Sequence, residues 1–218
     1  HTSLEAAVRR DMMGGLGLMQ ELISAELHDQ AGADGWEISA HANSAPDHEP
    51  IQGKQYSDAE YNALNTSLVR RIGTLNCGHA AFPIILGVSE PVHSPAELEA
   101  LRKANEDGVT VNGRHYTGYE ATQAQRARER EIRRLRRKVA VDEELAKAAP
   151  DGQEKVRAEQ TLQQSRIKLK VKEQDYKRFS KAAGLRTQHD RLMPIGYGRG
   201  QSGRARGAAD ANYNAWAK

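Results

Sequence analysis

Two stretches decide the fold: WEISAHANSAPDHEPIQGKQYS at residues 36–57, and IGTLNCGHAAFPIILGVSEP at 72–91. In WEISA, Trp36, Ile38 and Ala40 alternate with Glu37 and Ser39, which is the period of a half-buried strand. Its far end delivers His41 into a loop, residues 42–56, that holds Pro46, Pro50 and Gly53. IGTLNCGH reads as another loop, and FPIILGV as a buried strand, being short, partly β-branched and bounded by Pro and Gly. Strands punctuated by polar loops and short helices predict an α+β fold. The titratable side chains sit on the turns, which is how sites are usually built and cores seldom are.

Working outward, Ser57 is placed to cap SDAEYNALN, with Glu60 completing a capping box. Ser94 and Pro95 open a helix reaching about Asn105, Pro95 lying where a missing N–H costs nothing. VTVNGRHYT predicts a tight hairpin turning at Asn112-Gly113. Upstream, Ser3 is the expected cap of a helix in which Leu4, Ala7, Val8, Met12, Leu16, Met19, Leu22, Ile23 and Leu27 recur at three- and four-residue spacing, giving an apolar face to bury. Gly14, Gly15 and Gly17 each cost this helix about 1 kcal/mol relative to Ala, so a kink or a close helix contact is expected there. No strand precedes them, so they make no dinucleotide fingerprint. Residues 1–118 therefore read as a small mixed domain.

From Tyr119 the character changes. Residues 119–184 read as a long antiparallel helical hairpin: one charged helix to Ala149, a PDG turn at 150–152, and a second helix closed by Gly184. Each helix, at about 30 residues, is roughly 45 Å long. Leu162, Leu169 and Tyr176 sit seven apart with Ala158 and Phe179 beside them, facing Ile132, Leu135, Val139, Leu145 and Ala146. Ser165 and Lys172 interrupt the seam, so the hairpin is expected to need another surface. Residues 185–218, containing YGRGQSGRARGAADAN, read as a flexible basic tail.

Of the 218 residues 38% are hydrophobic and 5% aromatic, so the core is modest. Residues 1–118 carry 8 Lys+Arg against 16 Asp+Glu, and 119–218 carry 24 against 13; the halves are −8 and +11 within a chain of +3. A basic half of this kind meets an anionic partner or the acidic half of a neighbouring copy, so nucleic-acid contact and self-association are both expected. The single cysteine excludes an internal disulfide framework and makes the cytoplasm the default place of assembly. No apolar run nears the roughly 20 residues of a membrane span, and no membrane is expected as a partner. Leu4 to Arg10 mixes apolar and charged residues, unlike a signal peptide. The chain opens on His1, and an upstream segment is expected.

Three readings of the loops stand side by side. His41, His48, Cys77 and His79 are the donor set a tetrahedral zinc accepts, with Asp47 placed to orient an imidazole. Alternatively, His41 and His48 hydrogen-bond loop carbonyls and Cys77 is a small buried hydrophobe, with no cofactor. Third, His41 and His48 with Lys54 and Tyr56 supply general base, general acid and phosphate stabiliser for metal-free RNA cleavage. That chemistry needs a common centre within about 3 Å of the groups. A Cys77–His79 nucleophile pair is a further variant.

The run RAREREIRRLRRK at residues 126–138 puts eight basic residues, Arg126, Arg128, Arg130, Arg133, Arg134, Arg136, Arg137 and Lys138, within thirteen. On a helix these wrap most of the circumference, and non-specific, salt-dependent phosphate contact is one reading. A solvated face pairing with acidic neighbours is the other. In the tail, Arg199, Arg204 and Arg206 with Tyr197 form a weaker nucleic-acid signal.

SLEAAVRR at Ser3, GWEISAHANSAPDH at Gly35, IQGKQYS, IGTLNCGHAAFPIILGVSEP, HYTGYEATQAQRARER and YKRFSKAAGL follow one another as in one family. Together they resemble the phage minor capsid protein 2 family, relatives of the Mu F-like head-morphogenesis proteins, over about residues 2–185. The family usually has Arg where this chain has Ala45, and often Trp where it has Ile51. The resemblance implies a phage or prophage minor capsid protein, head-associated and structural, acting in head assembly near the portal and inside the capsid. Its partners would be portal and capsid proteins and packaged DNA. The alternatives from other classes are a histidine-dependent nuclease or toxin-like enzyme, and a zinc-stabilised nucleic-acid-binding module.

Overall fold

The computed structural model describes residues 4–74 and 77–194, the side chains of Glu5 and Ala6 aside. The expected cap at Ser3 and the tail arginines lie outside the described residues. The chain divides into two compact units: residues 1–108 with 117–119, and residues 109–116 with 120–218. The mixed α+β class with a long helical hairpin stands.

In the first unit, helix α1 (Leu4–Ala31) precedes strand β1 (Gly35–Ile38), strand β2 (Gln55–Ser57), helix α2 (Asp58–Ser67), strand β3 (Ala81–Ile84) and helix α3 (Pro95–Asp107). The sheet is antiparallel in the order β2-β1-β3, with Trp36 opposite Tyr56 on one side and Pro83 on the other. The predicted capping box of Ser57 with Glu60 forms, and Ser94, the expected cap of α3, makes a second one with Glu97. Ile38, Tyr61, Ile72 and Cys77 make the core, ringed by Trp36, Ile51, Tyr56, Leu64, Leu68 and Ala81. Trp36 is sandwiched between His28 of α1 and Tyr61 of α2, at ring-centroid distances of 4.8 and 5.3 Å.

Three sequence expectations need correction here. β3 is an edge strand and only half buried, with Phe82 49% exposed; an edge is where the missing N–H of Pro83 is tolerated. Glu37 is not on a solvent face: it is 3% exposed, its Oε1 accepting the Val92 N–H at 3.0 Å and its Oε2 the Gln55 amide at 3.0 Å. The third concerns α1, which runs unbroken through its three glycines. A Cβ on Gly17 would fall 2.0 Å from the Gly73 carbonyl oxygen, so the close contact is at that glycine. The apolar residues face the other way: Val8, Met12, Leu16, Met19, Ile23 and Leu27 are 47–66% exposed. Gly17 lets the backbone of α1 approach the turn at Gly73, and the large apolar side chains are left outward.

In the second unit, β4 (Val109–Val111) and β5 (Arg114–Tyr116) form the expected hairpin, with Asn112 and Gly113 at φ 52° and 78°. Helices α4 (Gly118–Ala148) and α5 (Gln153–Ala182) fold back on each other through the turn at Pro150–Gly152. Ile132, Leu135, Val139, Ala146, Leu162, Leu169, Tyr176 and Leu192 form one core. Leu145, expected in the seam, is 60% exposed. Ser165 does not weaken the seam, because its hydroxyl donates to the buried Asp142. Beyond α5 the chain turns in a Schellman motif, the Leu185 N–H bonding to Ser180 O at 2.8 Å and the Gly184 N–H to Lys181 O at 3.2 Å. Residues 185–194, expected as tail, then pack on the hairpin: Leu192 is 4% exposed, and Tyr176 Oη accepts the Gln188 N–H at 2.9 Å.

Candidate metal centre

His48 comes from a tight turn, its N–H and that of Glu49 both bonded to Ala45 O. Around it, Asp47 pairs with Arg70 at 2.8 Å, and Asn105 of α3 donates to Glu49 at 2.8 Å. The second segment of the site is Cys77-Gly78-His79. Gly78 has φ +79°, a conformation side-chain-bearing residues rarely adopt, and it turns Cys77 and His79 toward one centre. Residues two apart on a turn often diverge, and the positive φ of Gly78 is what brings these two together.

The result is a triangle of donor atoms. Cys77 Sγ lies 3.1 Å from His48 Nδ1 and 3.2 Å from His79 Nδ1, and the two Nδ1 atoms are 3.4 Å apart. All three residues are buried, at 0% exposure for His48, 3% for His79 and 8% for Cys77. The far side of each ring is committed. His48 Nε2 donates to the Arg70 carbonyl at 2.8 Å, since a carbonyl can only accept. Gln52 Oε1 accepts the His41 N–H at 3.0 Å, which identifies it as the oxygen, and so His79 Nε2 donates to it at 3.1 Å. The His79 N–H in turn points at Cys77 Sγ, 3.4 Å away. Burial, and next the neighbouring His41, His48 and Arg70, pushes the His79 imidazole down to about 4.

His41 stands apart from the triangle. Its ring leans on that of His79 with centroids 4.1 Å apart, its Nδ1 donates to Ala42 O at 3.0 Å, and its Nε2 is buried without a hydrogen-bond partner. Asp47 is not the orienting partner of an imidazole; it lies 3.7 Å from His48 Nε2 and the Arg70 carbonyl takes that place. Gln52, Arg70 and Asn105 were not singled out by sequence, because an amide or a main-chain carbonyl acting at this range leaves no spacing signature. Lys54 is exposed, and the Tyr56 hydroxyl donates to Ile51 O at 3.1 Å; the imidazole nitrogens of His48 and His79 are engaged by Arg70, Gln52 and Cys77 instead.

The basic run of α4 is largely engaged within its own unit. Arg136 is buried, holding Glu173 at 2.6 Å and the Leu192 carbonyl at 2.9 Å, and Arg133 donates to the Arg191 carbonyl. Arg126 pairs with Glu129 at 3.5 Å, Arg128 with Asp175 at 3.0 Å, Arg134 with Glu131 at 2.8 Å and Lys138 with Asp142 at 2.8 Å. Arg137 is half-buried, while Arg130, Arg134 and Lys138 are exposed.

No curated protein and no solved structure matches the chain. The family model described as phage minor capsid protein 2 matches residues 1–179, which takes in the donor triangle, its supporting side chains and nearly all of the helical hairpin. The chain therefore belongs to the phage minor capsid protein 2 family, and its role is that of a structural component of a phage particle.

Proposed function

We propose that the protein acts in head assembly near the portal, inside the capsid, contacting portal and capsid proteins. The family match over residues 1–179 carries this reading. The burial of His48 supports a structural role, since an imidazole at 0% exposure does not meet a polynucleotide. Protease treatment of purified particles tests the location. Intact particles should protect the protein, and opened particles should release it to cleavage; equal cleavage in both would contradict an interior position.

We further propose that the outward face of α1 pairs with α1 of a second copy. Val8, Met12, Leu16, Met19, Ile23 and Leu27 follow an 11-residue period, the one that keeps a stripe nearly straight along a helix. The stripe is symmetric about its midpoint: in an antiparallel pair Val8 meets Leu27, Met12 meets Ile23 and Leu16 meets Met19, as an isologous interface requires. Arg9 and Glu26 flank the stripe near its two ends, so antiparallel pairing sets these opposite charges at the same height and parallel pairing sets like charges together. Light scattering should give a dimer that becomes monomeric in Met12→Asp/Ile23→Asp without loss of melting temperature. A monomeric wild-type protein would contradict self-association.

A further inference from the structure

The tautomers of the buried triangle are set from outside it. With both Nε2 atoms donating, to the Arg70 carbonyl and to Gln52 Oε1, both Nδ1 atoms present lone pairs inward. Three donor atoms, His48 Nδ1, His79 Nδ1 and Cys77 Sγ, then share one thiol proton. That proton serves one of the three pairs and leaves two lone pair against lone pair, in a site screened from water by its burial. A cation at the centre removes this conflict.

The dimensions choose the cation. In a tetrahedral zinc site, with Zn–N of about 2.0–2.1 Å and Zn–S of about 2.3 Å, neighbouring donors lie roughly 3.3–3.6 Å apart. The separations here are 3.1, 3.2 and 3.4 Å, so a few tenths of an ångström, within the reach of side-chain torsions, complete the fit. Imidazole donors oriented by carbonyl acceptors on their far nitrogens, and a sulfur receiving a main-chain N–H, are the outer partners that metal-binding His and Cys normally have. His41 adds an independent observation: its Nε2 is buried without a partner, beside Gly78, where a Cβ would come within 3.4 Å of it.

We infer that His48, Cys77 and His79 bind one zinc ion through Nδ1, Sγ and Nδ1, with Nε2 of His41 rotating in as the fourth donor. The thiol yields its proton to solvent on binding, and the ion clasps the His48 turn to the Cys77-Gly78-His79 turn.

Elemental analysis of dialysed protein tests this, followed by Co2+ titration of chelator-stripped protein. One zinc per chain is expected, and Co2+ should bind one to one with the visible bands of tetrahedral cobalt and a thiolate charge-transfer band. Cys77→Ser should abolish that band. Should Cys77→Ser not fold, Gln52→Ala keeps every donor and should lower affinity about 10–100-fold, while His115→Ala on β5 should change nothing. Wild-type protein with no zinc and no cobalt bands would overturn the site, as would an octahedral spectrum lacking the thiolate band. A spectrum unaltered by His41→Ala would overturn His41 as the fourth donor.

Discussion

Gly78 gives the first test at the scale of single residues. Its φ of +79° is costly for any residue bearing a Cβ, by about 1–2 kcal/mol, and it alone lets Cys77 and His79 share a centre. Gly78→Ala should therefore lower stability by about that amount in denaturant unfolding, and a variant as stable as wild type would refute the role assigned to this turn. Glu37 makes a second: Glu37→Ala strands the Val92 N–H and the Gln55 amide, at a cost of about 1–3 kcal/mol. Glu129 carries a pH dependence. Burial holds its carboxyl above the usual range despite Arg126 and Arg133. Its raised folded pKa means that its contribution is fully present below the unfolded value of about 4.3 and is lost as pH rises through the folded one. Glu129→Gln should match wild type near pH 4 and be the more stable protein at pH 7; the reverse order at pH 7 would contradict this. At this scale the sequence was only partly readable. His48, Cys77 and His79 stand out by chemistry, but Gln52 and the Arg70 carbonyl, which set the tautomers, have no motif.

Among the elements, local signals were the most legible. Ser57 with Glu60, Ser94 with Pro95 and Glu97, and Asn112-Gly113 all act within a few residues, so sequence suffices to place them. Facing is a tertiary matter. The periodicity of α1 shows that a stripe exists, yet Gly17 docks against Gly73 and turns the stripe outward. Leu145 is exposed for a similar reason, because Ala146 takes the seam position beside it. Leu162→Ala and Leu169→Ala should each cost about 2–5 kcal/mol, whereas Leu145→Ala should stay within about 0.5 kcal/mol. Equal effects at positions 145 and 169, measured by thermal unfolding, would mean that the seam is assigned to the wrong face.

For the molecule as a whole, the charge split of −8 and +11 overstates what the basic half offers a polyanion. Most of the α4 run is tied to carboxylates and carbonyls of its own unit; Arg130, Arg134 and Lys138 are the exposed members named for nucleic-acid contact, and Arg134 and Lys138 must leave Glu131 and Asp142 to reach a phosphate. With about three phosphates neutralised, DNA affinity should fall about 40-fold between 50 and 200 mM salt, a log–log slope of about −2.7. Cross-linking mass spectrometry on intact, purified phage particles tests the interior, portal-proximal position most directly. Cross-links from this chain to the portal protein and to the inner surface of the capsid protein are expected; particles that lack the chain, or carry it cross-linked only to external proteins, would rule that position out.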